Sequence, residues 1–71
     1  MLSEKQILLK KQPGDYNLVA QMMSKTGGYV SPGNVAKLIK RKNAKRHSIA
    51  MATLRTVVET RERMLEMELN Q

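Results

Sequence analysis

The chain has 71 residues, with thirteen Lys/Arg against six Asp/Glu and a formal net charge of +7. A chain of this length holds one domain with a thin core, burying only about 60% of its unfolded surface, so oligomerisation is expected to supplement it. Cysteine, tryptophan and phenylalanine are absent. That excludes disulfides and thiolate metal sites, and it leaves a core of Leu, Ile, Val, Ala and Met, which favours helix over sheet.

The N-terminal run MLSEKQILLKK carries three consecutive apolar residues, too few for a signal-peptide core or a membrane span. The expectation is a soluble chain, cytoplasmic and nucleoid-associated, with no membrane partner. A first helix is predicted from Ser3 to Lys11, with Ile7, Leu8 and Leu9 as its apolar stripe. Ser3 is a potential cap, but Gln6 stands where a capping-box acid would be. Pro13-Gly14 ends this helix. Asp15 is then the expected cap of a second, from Tyr16 to Lys25. Tyr16, Val19, Ala20 and Met23 follow the i, i+3, i+4, i+7 rule and Met22 widens the stripe, while Asn17, Gln21 and Ser24 fall on the polar side. Thr26-Gly27-Gly28 supplies the stop.

A third helix opens with Ser31 as cap and Pro32 at its first position, where the missing N–H is no loss. At 100° per residue from Val35, Leu38, Ile39 and the stem of Lys42 fall within about 60° of it, and Asn34, Lys37, Lys40 and Arg41 cover the opposite arc. The stretch Val35–Lys45 thus reads as apolar on one side and basic on the other. Residues 43–47 break the periodicity. Ser48 is expected to cap a fourth helix reaching Glu68, with Ala50, Leu54, Val57, Val58, Arg61, Met64, Leu65 and Glu68 along its seam at near-heptad spacing. Glu59 and Arg63 form a favourable i, i+4 pair on it. Met64, Met67 and Leu69 continue the apolar seam past the point that three preceding helices can cover, which reads either as a frayed tail or as a homodimer or partner contact. The predicted architecture is all-α: a single four-helix domain over residues 1–71, with 48–71 as a long C-terminal helix.

Between Lys37 and Arg46 there are six Lys/Arg and no acid, whereas residues 48–71 carry three Arg and four Glu. Such an unbalanced centre points to a localised anionic partner, although a solvated face has the same composition. On the binding reading, Asn34 has the amide to pair with adenine, and Arg41 or Lys37 the donors for guanine. Lys40, Lys42, Lys45 and Arg46 grip phosphates. Gly33 either admits a phosphate closely or marks a frayed first turn. His47 reads as a surface residue beside the basic patch. It has neither the neighbours for a metal site nor an orienting partner for catalysis. With no paired carboxylates, phosphate-binding loop or nucleophile–base set, the chain is read as no enzyme, and without a cofactor.

Two helices joined by a glycine turn, the second basic outward, make the helix-turn-helix arrangement. Asp15-Tyr16-Asn17-Leu18-Val19-Ala20, Thr26-Gly27-Gly28-Tyr29, Ser31-Pro32 and Val35-Ala36-Lys37-Leu38-Ile39-Lys40-Arg41-Lys42-Asn43 together resemble small Cro/repressor-like helix-turn-helix proteins of phages and mobile elements. Ala20, Gly27 (or Gly28), Val35 and Leu38 match the family's mid-helix Ala, turn Gly and pair of aliphatic residues. The distances from Ala20 to Gly27 and to Val35 exceed the family's usual spacing, which implies a longer first helix or a looser turn. The resemblance implies a small transcriptional regulator that binds double-stranded DNA as a homodimer on paired half-sites, acting by occupying DNA: as a repressor, or in architectural work such as that of recombination-directing factors. It adds Asn17 and Gln21 as DNA-backbone contacts, with Ser31 counted among the DNA-binding residues. Leu54, Val58, Arg61, Met64 and Leu65 are then the expected dimer or partner contacts. A competing reading makes the C-terminal helix a docking element for a host or phage protein, with the helix-turn-helix as inherited architecture. Duplex RNA is a third possible ligand.

Overall fold

A short apolar repertoire forces the helices to share one small set of buried residues. In the computed structural model, which describes the backbone of residues 2–69 and the side chains of 2–67, the elements are α1 (Glu4–Lys10), α2 (Asp15–Gly27), α3 (Pro32–Lys40) and α4 (His47–Leu69). The seam position Glu68 and the apolar Leu69 lie outside the described side chains. The described residues contain no strand. α4 is the spine, packing on each of the other three, and α2 also packs on α3. Ile7 from α1, Val19, Ala20 and Met23 from α2, Val30 from the turn, and Val35 and Ile39 from α3 meet Ala50, Met51, Leu54 and Val58 of α4. No described helix is long and apolar enough to cross a membrane.

Local chemistry sets each helix end. Ser3 caps α1, and Gln6 completes the capping box that sequence reading denied it: the Gln6 N–H donates to Ser3 Oγ at 3.2 Å and the Ser3 N–H to Gln6 Oε1 at 2.9 Å. An amide oxygen accepts there as a carboxylate would. Of the predicted stripe only Ile7 is fully buried; Leu8 is half-buried and Leu9 exposed. The N-terminal segment is clasped from α4, for the Leu2 N–H donates to Glu59 Oε2 and the Leu2 carbonyl accepts from Arg55. Glu59 pairs with Arg55 at 3.3 Å rather than with the expected Arg63, and both side chains of that pair bond the Leu2 backbone.

Asp15 does not cap α2. Gly14, at φ 94°, takes the cap position without a side-chain bond, and Asp15 is the first helical residue. Its carboxylate points back instead. Oδ2 accepts the Gln12 N–H at 2.7 Å, and Oδ1 accepts from Arg61 Nη1 at 2.7 Å. Arg61 Nη2 also donates to the Lys10 carbonyl at 2.9 Å, at the end of α1. Asp15 is only 4% exposed. Burial pushes its carboxyl up, but the bonds from Arg61 and Gln12 and the charges of Arg61 and Lys11 outweigh this and hold it below the usual 3.8.

α2 continues to Gly27, two residues past its predicted end, which accommodates part of the long spacing noted above. α3 is shorter than predicted and stops at Lys40, where the Arg41 N–H closes on the Lys37 carbonyl. Continuing would add Arg41, Lys42, Lys45 and Arg46 at like-charge i, i+3 and i, i+4 spacings without an acid. The Leu38 carbonyl, which a longer helix would bond to residue 42, accepts from His47 Nδ1 at 2.8 Å. His47 is therefore a largely buried tie between α3 and α4, not a surface residue, with Nε2 4.0 Å from Glu4 of α1. Residues 41–46 form tight turns that run into α4 at His47 rather than at Ser48. Lys42 lies in those turns, exposed, so its stem does not join the apolar arc.

Asp15→Asn is expected to destabilise the fold by about 2 kcal/mol, the cost of a buried pair broken on one side and discounted because Arg61 reaches solvent. The folded carboxyl titrates below its unfolded value, so its contribution is present above that value and is lost as pH falls through the folded pKa. Urea unfolding at neutral and acid pH checks both points. The variant's deficit should shrink as pH falls below about 4.

Candidate nucleic-acid interface

The placement of α3 follows from its cap and its two buried residues. Ser31 Oγ accepts the Asn34 N–H at 3.2 Å and Pro32 stands at the first position, so the first turn is ordered rather than frayed. Val35 and Ile39 are buried and Leu38 half-buried against the core. The opposite arc then carries Asn34, Lys37 and Lys40, with Arg41 at the C-cap, all exposed as the helical projection predicts. Gly33 leaves that turn without a side chain, and a Cβ built there meets only Ser31 Oγ at 4.0 Å. Lys42 and Lys45 extend the exposed cations along the following turns.

Arg46 differs from its neighbours. It is half-buried, and its guanidinium lies against the last residue of α2: a Cβ at Gly27 would come within 2.8 Å of Nη2. A cation at that helix C-terminus is favourably placed against the helix dipole. The residue thus braces the basic turns on α2, while its surface still lines a depression of about 280 Å³ with Asn34, Lys37 and Arg41.

The turn between α2 and α3 is held from beneath. Gly28 takes a left-handed φ of 86°, so it, and not Gly27, is the turn glycine. Ser24, expected on the polar face of α2, is half-buried, and its Oγ accepts the Val30 N–H at 2.9 Å. With Val30 anchored in the core, Tyr29 between these two fixed residues projects outward and is 84% exposed. On its other side a second depression, of about 390 Å³, runs along α2 past Asn17, Gln21 and Lys25. The structure thus brings Asn17, Gln21, Asn34, Lys37, Arg41 and Arg46 around one turn. Sequence reading missed Tyr29 and Lys25 in this set. An aromatic between a Gly-Gly stop and a Ser-Pro start has no helix face to pack on, and that was the available signal.

Charge is segregated along the fold. No acid occurs between Tyr16 and Val58. Among the described residues Asp15, Glu59 and Glu62 pair with Arg61, Arg55 and Lys10 where α4 meets α1 and the start of α2, and no acid pairs with the cations of α3 or its following turns. Among the described residues no cluster of His, Asp and Glu is suited to a metal ion.

The expected partner contacts of α4 divide. Leu54 and Val58 are 0% exposed and belong to the core, so neither reaches a partner in this fold. Arg61 is engaged by Asp15 and the Lys10 carbonyl. Met64 and Leu65, 58% and 45% exposed, remain available, and with Leu18, Met22 and Val57 they line an apolar groove of about 510 Å³ between α2 and α4.

Removing the α3 cap with Ser31→Ala is expected to lower stability by about 1 kcal/mol, measured as a shift of the urea midpoint with an unchanged slope. The chain matches no protein-family model, no curated protein and no solved structure.

Proposed function

We propose that this chain is a duplex-DNA-binding protein of helix-turn-helix type, a small transcriptional regulator and specifically a repressor of the phage or mobile-element kind. The observation that carries the reading is α3. It is seated on the core by Val35 and Ile39, it exposes Asn34, Lys37 and Lys40 with Arg41 at its cap, and no acid stands between Tyr16 and Val58. An α-helix fits the major groove, where Asn reads adenine and Arg or Lys reads guanine. α3 enters that groove with Asn34, Lys37 and Arg41 foremost, and the open backbone at Gly33 permits close approach. Lys40, Lys42 and Lys45 hold phosphates, Arg46 adds its charge from its braced position, and Asn17 and Gln21 bond the backbone from α2. Ser31 keeps its hydroxyl proton for a phosphate while its oxygen serves the cap. The protein acts by occupying DNA.

Two modules on paired half-sites bind more tightly than one, and a homodimer is part of the proposal. The groove beside Met64 and Leu65 supports it: the one charged residue lining it, Arg61, is already neutralised by Asp15. The same groove favours a second reading, in which α4 docks another protein and α3 is only a solvated face.

Fluorescence anisotropy on random-sequence duplex separates the two. DNA binding should weaken steeply with salt, with a log–log slope of about −0.9 per phosphate neutralised. Lys37→Glu/Arg41→Glu should lose at least about tenfold in affinity and flatten that slope. No binding at low salt would sink the DNA reading and leave α4 docking. For the dimer, sedimentation velocity should give twice the monomer mass for the native chain and monomer for Leu65→Lys; a native monomer would end that part of the proposal.

A further inference from the structure

Tyr29 is a large aromatic that the fold itself does not use. It is 84% exposed, and among the described residues its phenol oxygen makes no hydrogen bond. Tyr16, by contrast, is half-buried beneath Lys11, whose Nζ stands 5.4 Å from the ring centroid. Exposure at Tyr29 is not slackness of the turn. Gly28 is fixed in the left-handed region before it, and Val30 behind it is buried with its N–H bonded to Ser24. The side chain is thus presented from a backbone held on both sides, which lowers the entropy lost when it makes a contact.

Its surroundings are cationic and contain no acid. One flanking depression is lined by Asn34, Lys37, Arg41 and Arg46, the other by Asn17, Gln21 and Lys25, and Tyr29 is common to both. Anions gather at such a place. Among these groups the phenol is a neutral donor on a rigid ring, while the charged ones carry long flexible stems.

We propose that Tyr29 contacts nucleic acid directly, its hydroxyl donating a hydrogen bond to a backbone phosphate between the cations of α2 and those of α3. The inference deepens the DNA-binding reading and rests on it. A phosphate contact from a neutral group has a distinctive signature. It adds affinity through a charge-assisted bond, yet it releases no counterion, so it leaves the salt slope untouched.

The test uses fluorescein-labelled random-sequence duplex DNA, and the native chain beside Tyr29→Phe and Tyr29→Ala. Both substitutions lie at an exposed site and are checked for native helicity by circular dichroism. Tyr29→Phe is expected to bind about tenfold more weakly, the worth of one hydrogen bond to a charged acceptor, with the same slope in log salt as the native chain. A second readout comes from Tyr16→Phe, which leaves Tyr29 as the single tyrosine of a chain without tryptophan. Acrylamide quenching of its fluorescence should fall when saturating duplex is added. If the native chain binds and Tyr29→Phe binds equally well, the inference is overturned while the DNA reading stands. If only Tyr29→Ala is impaired, and more so on single-stranded DNA, the ring stacks on bases and the phosphate contact is overturned. If the native chain binds no DNA at low salt, the DNA reading fails and the inference with it.

Discussion

The buried ion pair between Asp15 and Arg61 is the constraint on which the arrangement of the helices depends. One guanidinium holds the carboxylate at the start of α2 and the carbonyl at the end of α1, so a single side chain of α4 fixes the corner between the first two helices. Two charges taken from water repay the desolvation only if their remaining lone pairs and protons are satisfied. Here the Gln12 N–H and the Lys10 carbonyl do that. The apolar core of a chain this small gives it little margin, and it fixes which faces meet more firmly than it fixes how far one helix slides along another. The polar knot supplies that register.

The same pairing shapes the electrostatics of the opposite side. Most of the described acids face cations of α1 and α4, and apart from the buried Asp15–Arg61 pair these contacts are part-exposed and weak in themselves. Their larger effect is on the field. Acids committed near the chain ends cannot fold back over α3, so the cations from Lys37 to Lys45 act together on whatever approaches. Counter-ions in solution are their only competitors, and binding through them is for that reason governed by ionic strength.

The helices were legible because their signals are local: Ser31-Pro32 opens α3, Pro13-Gly14 closes α1, and the spacing of Val19, Ala20 and Met23 marks an inward face. What escaped depends on contacts distant in the chain. Asp15 has the composition of a cap, and only the arrival of Arg61 shows that its carboxylate turns the other way. His47 looks solvated in a polar stretch until α3 ends early and leaves the Leu38 carbonyl without its usual donor. Leu54 and Val58 share a seam with Met64 and Leu65, and periodicity cannot tell where along α4 the other helices stop covering it. The arc of α3 was readable residue by residue. The position of Tyr29 was not, since it follows from Ser24 and Val30 holding the turn from below.

Because α4 is the spine, the order in which the ribosome delivers the chain matters. α1, α2 and α3 emerge first, yet Val19, Val35 and Ile39 have little to close upon before Ala50, Leu54 and Val58 follow, and Asp15 has no counter-ion until Arg61 appears. Nascent α2 and α3 are then a cationic, incompletely packed segment, and helices this short are marginal alone in water. Their basic arc becomes a shaped surface only when α4 is made. Competence for any partner of that surface therefore waits until α4 has followed α3, and it is a property of the closed fold rather than of α3.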